Sequence, residues 1–255
     1  YYKFIFKNLK NIIKGKILKK NNDEIESTIT LRAEELIHRK DVTLKALSAN
    51  TVEEVITNLK PYGFGNEIEK AYLVYKDTNE IGIIDTYLDK ILYQNLADSI
   101  KSKADLNLLK LFGIELDVYN LTNIVRAKFW NMDSQMIKEL LISHTASTSD
   151  DLLSKMIDAE NIKMAFMELS KTKFASIVLT EGDDIFMVNE FERKLNIFLY
   201  NSLLKEFANM FKLSTAVSVV RLYDYEIQNL ASISYAVENN ISTEITMAKI
   251  IAPVQ

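Results

Sequence analysis

The chain has 255 residues, 48% of them hydrophobic and 26% charged, which suffices for a buried core and excludes a disordered polymer. Six Gly and two Pro fall well below ordinary usage of roughly 7% and 5%, so a fold punctuated by tight turns lacks its turn residues and long helices remain. With no Cys and only two His, at 38 and 144, the chain has no disulfides, zinc ribbons, iron–sulfur sites or thiol nucleophiles and little imidazole chemistry, while a net charge of −4 gives no overall reason to bind nucleic acid.

Phe4, Ile5, Leu9, Ile12, Ile13 and Ile17 recur at three- and four-residue steps with Lys between them, predicting an amphipathic helix over 3–17 that Gly15 weakens slightly. Asn21-Asn22-Asp23-Glu24 then offers a helix start, with Ile25, Ile29, Leu36 and Ile37 behind it. Thr51 as N-cap and Glu54 as its reciprocal partner predict a capping box for a helix over 51–59, ended by Pro61-Tyr62-Gly63-Phe64-Gly65. Helical patterns follow over 66–76 and 83–110, the latter stopped by Gly113. Further helices are expected at 115–130, 133–142, 149–156, 160–169 and 184–211, the last marked by Phe191, Leu195, Phe198, Leu199, Leu203 and Phe207. Helices at 216–237, with a break, and 242–251 close the chain before Pro253. No stretch alternates with period two for long enough to argue a sheet, so the expected class is all-α. No apolar run reaches the ~20 residues that span a bilayer, and the absence of Cys favours a reducing, cytosolic setting.

Laid beneath itself, the chain repeats. Phe6-Lys7-Asn8-Leu9-Lys10-Asn11-Ile12-Ile13-Lys14-Gly15-Lys16-Ile17 falls under Val118-Tyr119-Asn120-Leu121-Thr122-Asn123-Ile124-Val125-Arg126-Ala127-Lys128-Phe129 at an offset of 112. Ala49-Asn50-Thr51-Val52, with Leu59 and Phe64, falls under Ala159-Glu160-Asn161-Ile162, with Leu169 and Phe174, at an offset of 110. A third copy is expected from Tyr225-Glu226-Ile227-Gln228-Asn229-Leu230, 106 beyond the second, which sets Ser232 opposite Arg126. The preceding helix also matches, Leu88–Leu96 resembling Leu195–Leu203. Copies of this length exceed the roughly 34–47 residues of solenoid repeats, so each is expected to be a small helical domain. The expected division is 1–65 as the second part of repeat one, with its leading helix upstream of Tyr1, then 66–174 and 175–255 as repeats two and three.

The segment Leu116-Asp117-Val118-Tyr119-Asn120-Leu121-Thr122-Asn123-Ile124-Val125-Arg126-Ala127-Lys128 resembles the middle repeat of the C-subunit family of V-type and archaeal-type rotary ATPases, whose eukaryotic V-ATPase member is the d subunit. Leu222-Tyr223-Asp224-Tyr225-Glu226-Ile227-Gln228-Asn229-Leu230 resembles that family's closing helix. The resemblance implies a funnel of three similar helical domains in pseudo-threefold arrangement. It further implies a non-catalytic, cytoplasmic, peripheral central-stalk subunit between the D- and F-type shaft subunits and the proteolipid rotor ring. No cofactor, nucleic acid or small-molecule substrate is implied. Family members carry about one more half-repeat at the N-terminus than this sequence does.

Asn8, Lys14, Asp117, Asn120, Arg126 and Glu226 mark the repeat and are the candidate interaction residues. Asn at a helix entry bonds backbone groups, which favours a role within each repeat over contact with a partner. Arg126 and Lys14 read as solvated or intra-repeat, with an acidic partner as the alternative. Seven Lys and no acid in residues 1–20 read as a solvated helix face, against contact with an acidic shaft surface or anionic headgroups. Phe129, Trp130 and Met132 read as core, with a rim exposed to a partner as the alternative. Asp77-Thr78-Asn79-Glu80-Ile81-Gly82 lacks the ligands of a calcium loop and reads as a turn, while Glu181-Gly182-Asp183-Asp184 reads as a helix N-terminus. Two rival functions are a free-standing helical scaffold and an enzyme assembled from acids such as Asp117, Asp183 and Asp184, which requires carboxylates converging in a pocket.

Overall fold

The computed structural model describes residues 2–101, 105–143, 145–209 and 212–252, so that His144 and Pro253 lie outside the described residues. Among the described residues every regular element is helical. The first compact unit, 1–98, contains α1 (Tyr2–Ile17), α2 (Asn22–Glu26), α3 (Arg32–Leu36), α4 (Lys40–Leu47), α5 (Val52–Leu59), α6 (Gly65–Thr78) and most of α7 (Gly82–Lys101). The second, 99–255, contains α8 (Leu106–Phe129), α9 (Ser134–Leu140), α10 (Asp150–Asp158), α11 (Ile162–Leu169), α12 (Asp184–Phe207), α13 (Leu213–Glu238) and α14 (Thr243–Met247). Among the described residues no helix is long and apolar enough to cross a membrane.

In each unit a long helix that carries the repeat sequence gathers the shorter ones around it. In the first, α1 buries Ile5, Phe6, Leu9, Ile12 and Ile13 against the short helices α2 to α5. Phe6 meets Phe64 edge-on at 5.3 Å between ring centroids. In the second, α8 packs on α9, α10, α11, α12 and α13 and is buried nearly all round. Phe166 on α11 and Phe191 on α12 approach to 4.6 Å, and Phe174 and Phe198 to 5.2 Å. Full burial of such side chains stabilises by about 1.5–3 kcal/mol each, so these clusters outweigh the intrinsic preferences of the short helices around them.

Four local expectations change. The helix expected from Asn21 through Ile37 is split into α2 and α3, because Ser27 and Thr28 hydroxyls bond back to the Glu24 and Ile25 carbonyls at the end of α2. His38, at φ 55°, then interrupts the chain before α4, and Leu36 is exposed. The capping box belongs to α2, where Asn21 accepts from the Glu24 amide and Glu24 accepts from the Asn21 amide. At α5 Thr51 does cap Glu54, but the Glu54 carboxylate reaches the Asn50 amide one residue earlier.

Gly113 stops nothing. Asp105 accepts from the amides of Asn107 and Leu108, each at 3.0 Å, and so starts α8 at Leu106, which makes 106–110 its first turns. Gly113 lies buried inside that helix because the Ala146 amide donates to its carbonyl at 3.1 Å, and a Cβ there would stand 3.0 Å from Ala146 Cβ. The break expected within 216–237 is absent from α13, which runs unbroken over 26 residues.

Candidate functional site

The three helices α1, α8 and α13 are finished in the same way. Asn8 on α1 donates through Nδ2 to the Thr30 carbonyl at 3.0 Å and accepts from the Thr30 amide at 3.3 Å. Asn120 on α8 does the same with Ile142, at 2.8 and 2.9 Å, and Asn229 on α13 with Ile251, at 2.7 and 2.9 Å. In each case the partner lies 22 residues along the chain. A primary amide is suited to this work, since it offers donor and acceptor in one plane and satisfies both groups of a returning extended residue.

Between helix and clamp the path also recurs. Lys19, Asn131 and Asn240 each adopt φ 54° just beyond the helix end. The following amide of Lys20, Met132 or Ile241 donates back to the carbonyl of Gly15, Ala127 or Ala236 at 2.9 Å, the helix-stop geometry known as a Schellman motif. Asn21, Asp133 and Ser242 then cap α2, α9 and α14. These matches place the third copy 109 residues beyond the second, with Asn229 under Asn120. The offset of 106 is therefore corrected, and the residue opposite Arg126 is Tyr235 rather than Ser232.

Cations tie the first two of these helices inward. Lys14 reaches Asp85 on α7 at 2.9 Å, and Lys10 reaches Asp89 at 2.6 Å. Arg126 holds Glu192 on α12 with two parallel bonds, Nη2 to Oε2 at 2.6 Å and Nε to Oε1. Asp85 and Glu192 occupy equivalent places in the matched long helices, so Lys14–Asp85 and Arg126–Glu192 are one contact made twice. Two residues further on, the Lys16 ammonium donates to the carbonyls of Leu47 and Ala49, and the Lys128 ammonium to those of Ile157 and Ala159. Burial pulls both ammonium groups below the usual lysine range, offset in part by Glu54 and Asp158. Lys16 and Lys128 were absent from the candidate residues, although they stand one beneath the other at offset 112.

The acids serve the backbone. Asp117, fully buried on α8, accepts from the amides of Ser147 and Thr148 at 3.2 and 2.9 Å and from the Thr148 hydroxyl at 2.7 Å, with the Lys173 ammonium at 3.6 Å. Its counterpart on α1 is Ile5, and there Glu34 enters from the other side to accept from Asn8 at 2.6 Å and Thr43 at 2.8 Å. Burial holds the Glu34 carboxyl above the ordinary range despite those two hydrogen bonds. Asp183 caps α12 by accepting from the Phe186 amide at 2.7 Å. Asn79 ends α6 in the left-handed conformation, as a turn residue does. Trp130 and Phe129 are half-buried, and Met132 is buried.

Of the six candidates, Asn8, Asn120, Lys14, Asp117 and Arg126 thus form bonds within their own unit. Glu226 differs. It is exposed on α13 and lines a groove of about 520 Å³ together with Leu222, Tyr223, Asn229, Leu230 and Ile251. Asn229 was legible only as part of a sequence match. Glu34 had no signal in the sequence, because its partners lie 26 and 9 residues away on other elements.

What these contacts define is an all-helical protein in which one helix-and-return element recurs three times, a class of scaffold held together by amide clamps and inward-facing ion pairs. The chain matches the family described as ATP synthase (C/AC39) subunit over residues 1–249 and belongs to it. Among curated relatives it is similar to the C subunit of the A-type ATP synthase of Methanosphaera stadtmanae, with 23% identity over 235 residues covering 89% of this chain and 60% of the relative. The same protein of Pyrococcus horikoshii is 26% identical, over 78% of this chain and 54% of the relative. That of Methanocaldococcus jannaschii is 30% identical over 141 residues, which cover 53% of this chain and 34% of the relative. The chain spans between about half and three-fifths of the length of the first two.

Proposed function

We propose that this chain forms part of a central-stalk subunit that joins D- and F-type shaft subunits to the proteolipid rotor ring and transmits torque between them. The reading rests on the family match over residues 1–249. The threefold recurrence of the Asn clamp supports it, since a coupler between rotating parts needs stiffness and repeated surfaces rather than a reactive group. In this reading 1–65, 66–174 and 175–255 are successive repeats of a funnel set peripherally on the cytoplasmic side of the membrane, with no catalytic centre of its own.

The inward ion pairs of Lys10, Lys14 and Arg126 assign these cations to internal stiffness, leaving the exposed Lys7, Lys19 and Lys20 as the basic residues able to meet an acidic shaft surface. The test titrates the protein, produced at the full length of its reading frame, against the purified shaft subcomplex, with size-exclusion light scattering in the presence and absence of the ring. A one-to-one complex that recruits the ring is expected. No association at micromolar concentration sinks the rotor assignment and leaves a helical scaffold.

A further inference from the structure

We propose that Arg39, Lys45 and Tyr62, beside the short helices of the first copy, form a binding site for a phosphate group. The inference goes beyond the rotor reading and does not depend on it.

Two cations share one ring here. The Arg39 guanidinium lies 6.0 Å, and the Lys45 ammonium 5.2 Å, from the centroid of the Tyr62 ring. An aromatic face attracts a cation without cancelling its charge, so gathering two positive heads at one half-buried ring leaves their mutual repulsion standing. Among the described residues neither head forms an ion pair, and the Tyr62 hydroxyl has no hydrogen-bond partner.

The second copy shows what the scaffold itself needs. With Ala49 under Ala159 and Phe64 under Phe174, Arg39 falls under Ser149, Lys45 under Lys155 and Tyr62 under Thr172. Ser149 caps α10 by accepting from the Leu152 amide at 3.2 Å, and the Thr172 hydroxyl donates to the Leu169 carbonyl at 2.7 Å. The same helix pair therefore folds with neither the guanidinium nor the ring. In the first copy Arg39 takes the place of the cap, and α4 opens with no side chain bonded to its first amides. Lys45 departs in its partner. Asp41 and Asp151 each stand four residues before a lysine, yet Lys155 closes on Asp151 at 2.7 Å while Lys45 turns away from Asp41 to the ring. An uncapped helix start, a guanidinium and an ammonium released from its acid thus meet at one place.

Phosphate has the chemistry these donors ask for. The guanidinium fork takes two oxygens in its plane, while the ammonium and the phenol each supply a donor from another direction. The oxygens of a phosphate point tetrahedrally and answer all three, whereas the two coplanar oxygens of a carboxylate are used up by the guanidinium alone. A free phosphate and a phosphomonoester lipid headgroup present this same group.

The test uses the protein at the full length of its reading frame. Calorimetric titration with inorganic phosphate reads the free ligand. Flotation with phosphatidylcholine vesicles containing phosphatidic acid reads the headgroup, against vesicles containing phosphatidylserine at equal surface charge. Binding in at least one arm is expected, and the arm identifies the source. Arg39→Ser and Tyr62→Thr install the residues that the second copy already carries at these positions, so both variants should melt close to the native chain. Each of them, and Lys45→Gln, should weaken binding by about tenfold or more. No binding in either arm overturns the proposal, as does binding that Arg39→Ser and Lys45→Gln leave unchanged. Equal retention on phosphatidylserine, or on a glutamate-rich peptide, also overturns it by reducing the cluster to a general attraction for negative charge. So does a large fall in melting temperature for Arg39→Ser that phosphate does not alter, since the cations would then serve only to hold Tyr62.

Discussion

A single amide side chain does most of the local organising in this protein. Asn8, Asn120 and Asn229 each satisfy one backbone donor and one acceptor of a segment that leaves the helix and returns, where an unpaired buried backbone group costs about 1–3 kcal/mol. Around Asn8 the arrangement is more costly, because the clamp shares its Nδ2 with the buried Glu34 carboxylate. Burial, helped by Asp41, lifts the Glu34 pKa above the 4.5 of a free glutamate, so the folded state holds this proton more tightly than the unfolded chain does. Stability should therefore rise as pH falls through the folded-state pKa towards the unfolded value, and the charge should weigh on the fold above it. Relative to Glu34→Gln, which cannot titrate, the native chain is expected to gain thermal stability as melts are taken from about pH 8 down to about pH 5. Parallel pH profiles for the two proteins would show that Glu34 titrates alike in both states.

At the scale of elements, the long helices are joined by contacts of unequal strength. Arg126 grips Glu192 through two bonds, whereas Lys14 meets Asp85 as a point charge, and both pairs are part-exposed. A charge-assisted pair of the first kind is worth about 1.5–3 kcal/mol, and an exposed single contact nearer roughly 0.2–1 kcal/mol. Arg126→Met is accordingly expected to lower unfolding free energy by about 2 kcal/mol, with Arg126→Lys recovering only part of the loss because the fork geometry is gone. Lys14→Met should cost less than half as much. Denaturant titration of the three variants gives the ranking, and equal losses for Arg126→Met and Lys14→Met would contradict it. Gly113 carries a related lesson, since its role is the close approach of Ala146 to a helix interior, and that role is invisible without the neighbouring chain.

For the molecule as a whole, the clamps in the two compact units have separate partners, Thr30 and Glu34 for Asn8 and Ile142 for Asn120. Residues without shared partners contribute independently to stability, usually within about 0.5 kcal/mol. Asn8→Ala and Asn120→Ala should each cost about 2–3 kcal/mol by stranding a buried amide and carbonyl, and the double variant should lose their sum. Chemical denaturation of the native chain and the three variants measures this, and a coupling well above that margin would mean that the units unfold as one through shared contacts.

By itself the amino-acid sequence determined the class and the family. Helical periodicity, scarce Gly and Pro, the capped starts and the likeness of residues 6–17 to 118–129 are all local properties, and a helix of about 3.6 residues per turn writes them directly into spacing. The tertiary structure alone decided the rest. It moved the third copy from an offset of 106 to 109, because the register is set by the residue that Asn229 clamps rather than by matching letters. It turned Asp117, Lys14 and Arg126 inward, because their partners lie 30 to 71 residues away and proximity in space is fixed by the path of the chain. It also showed that Leu9 and Leu121 are core on α1 and α8 while the matched Leu230 is exposed on α13, because burial depends on what packs against a helix and periodicity records only which side is apolar.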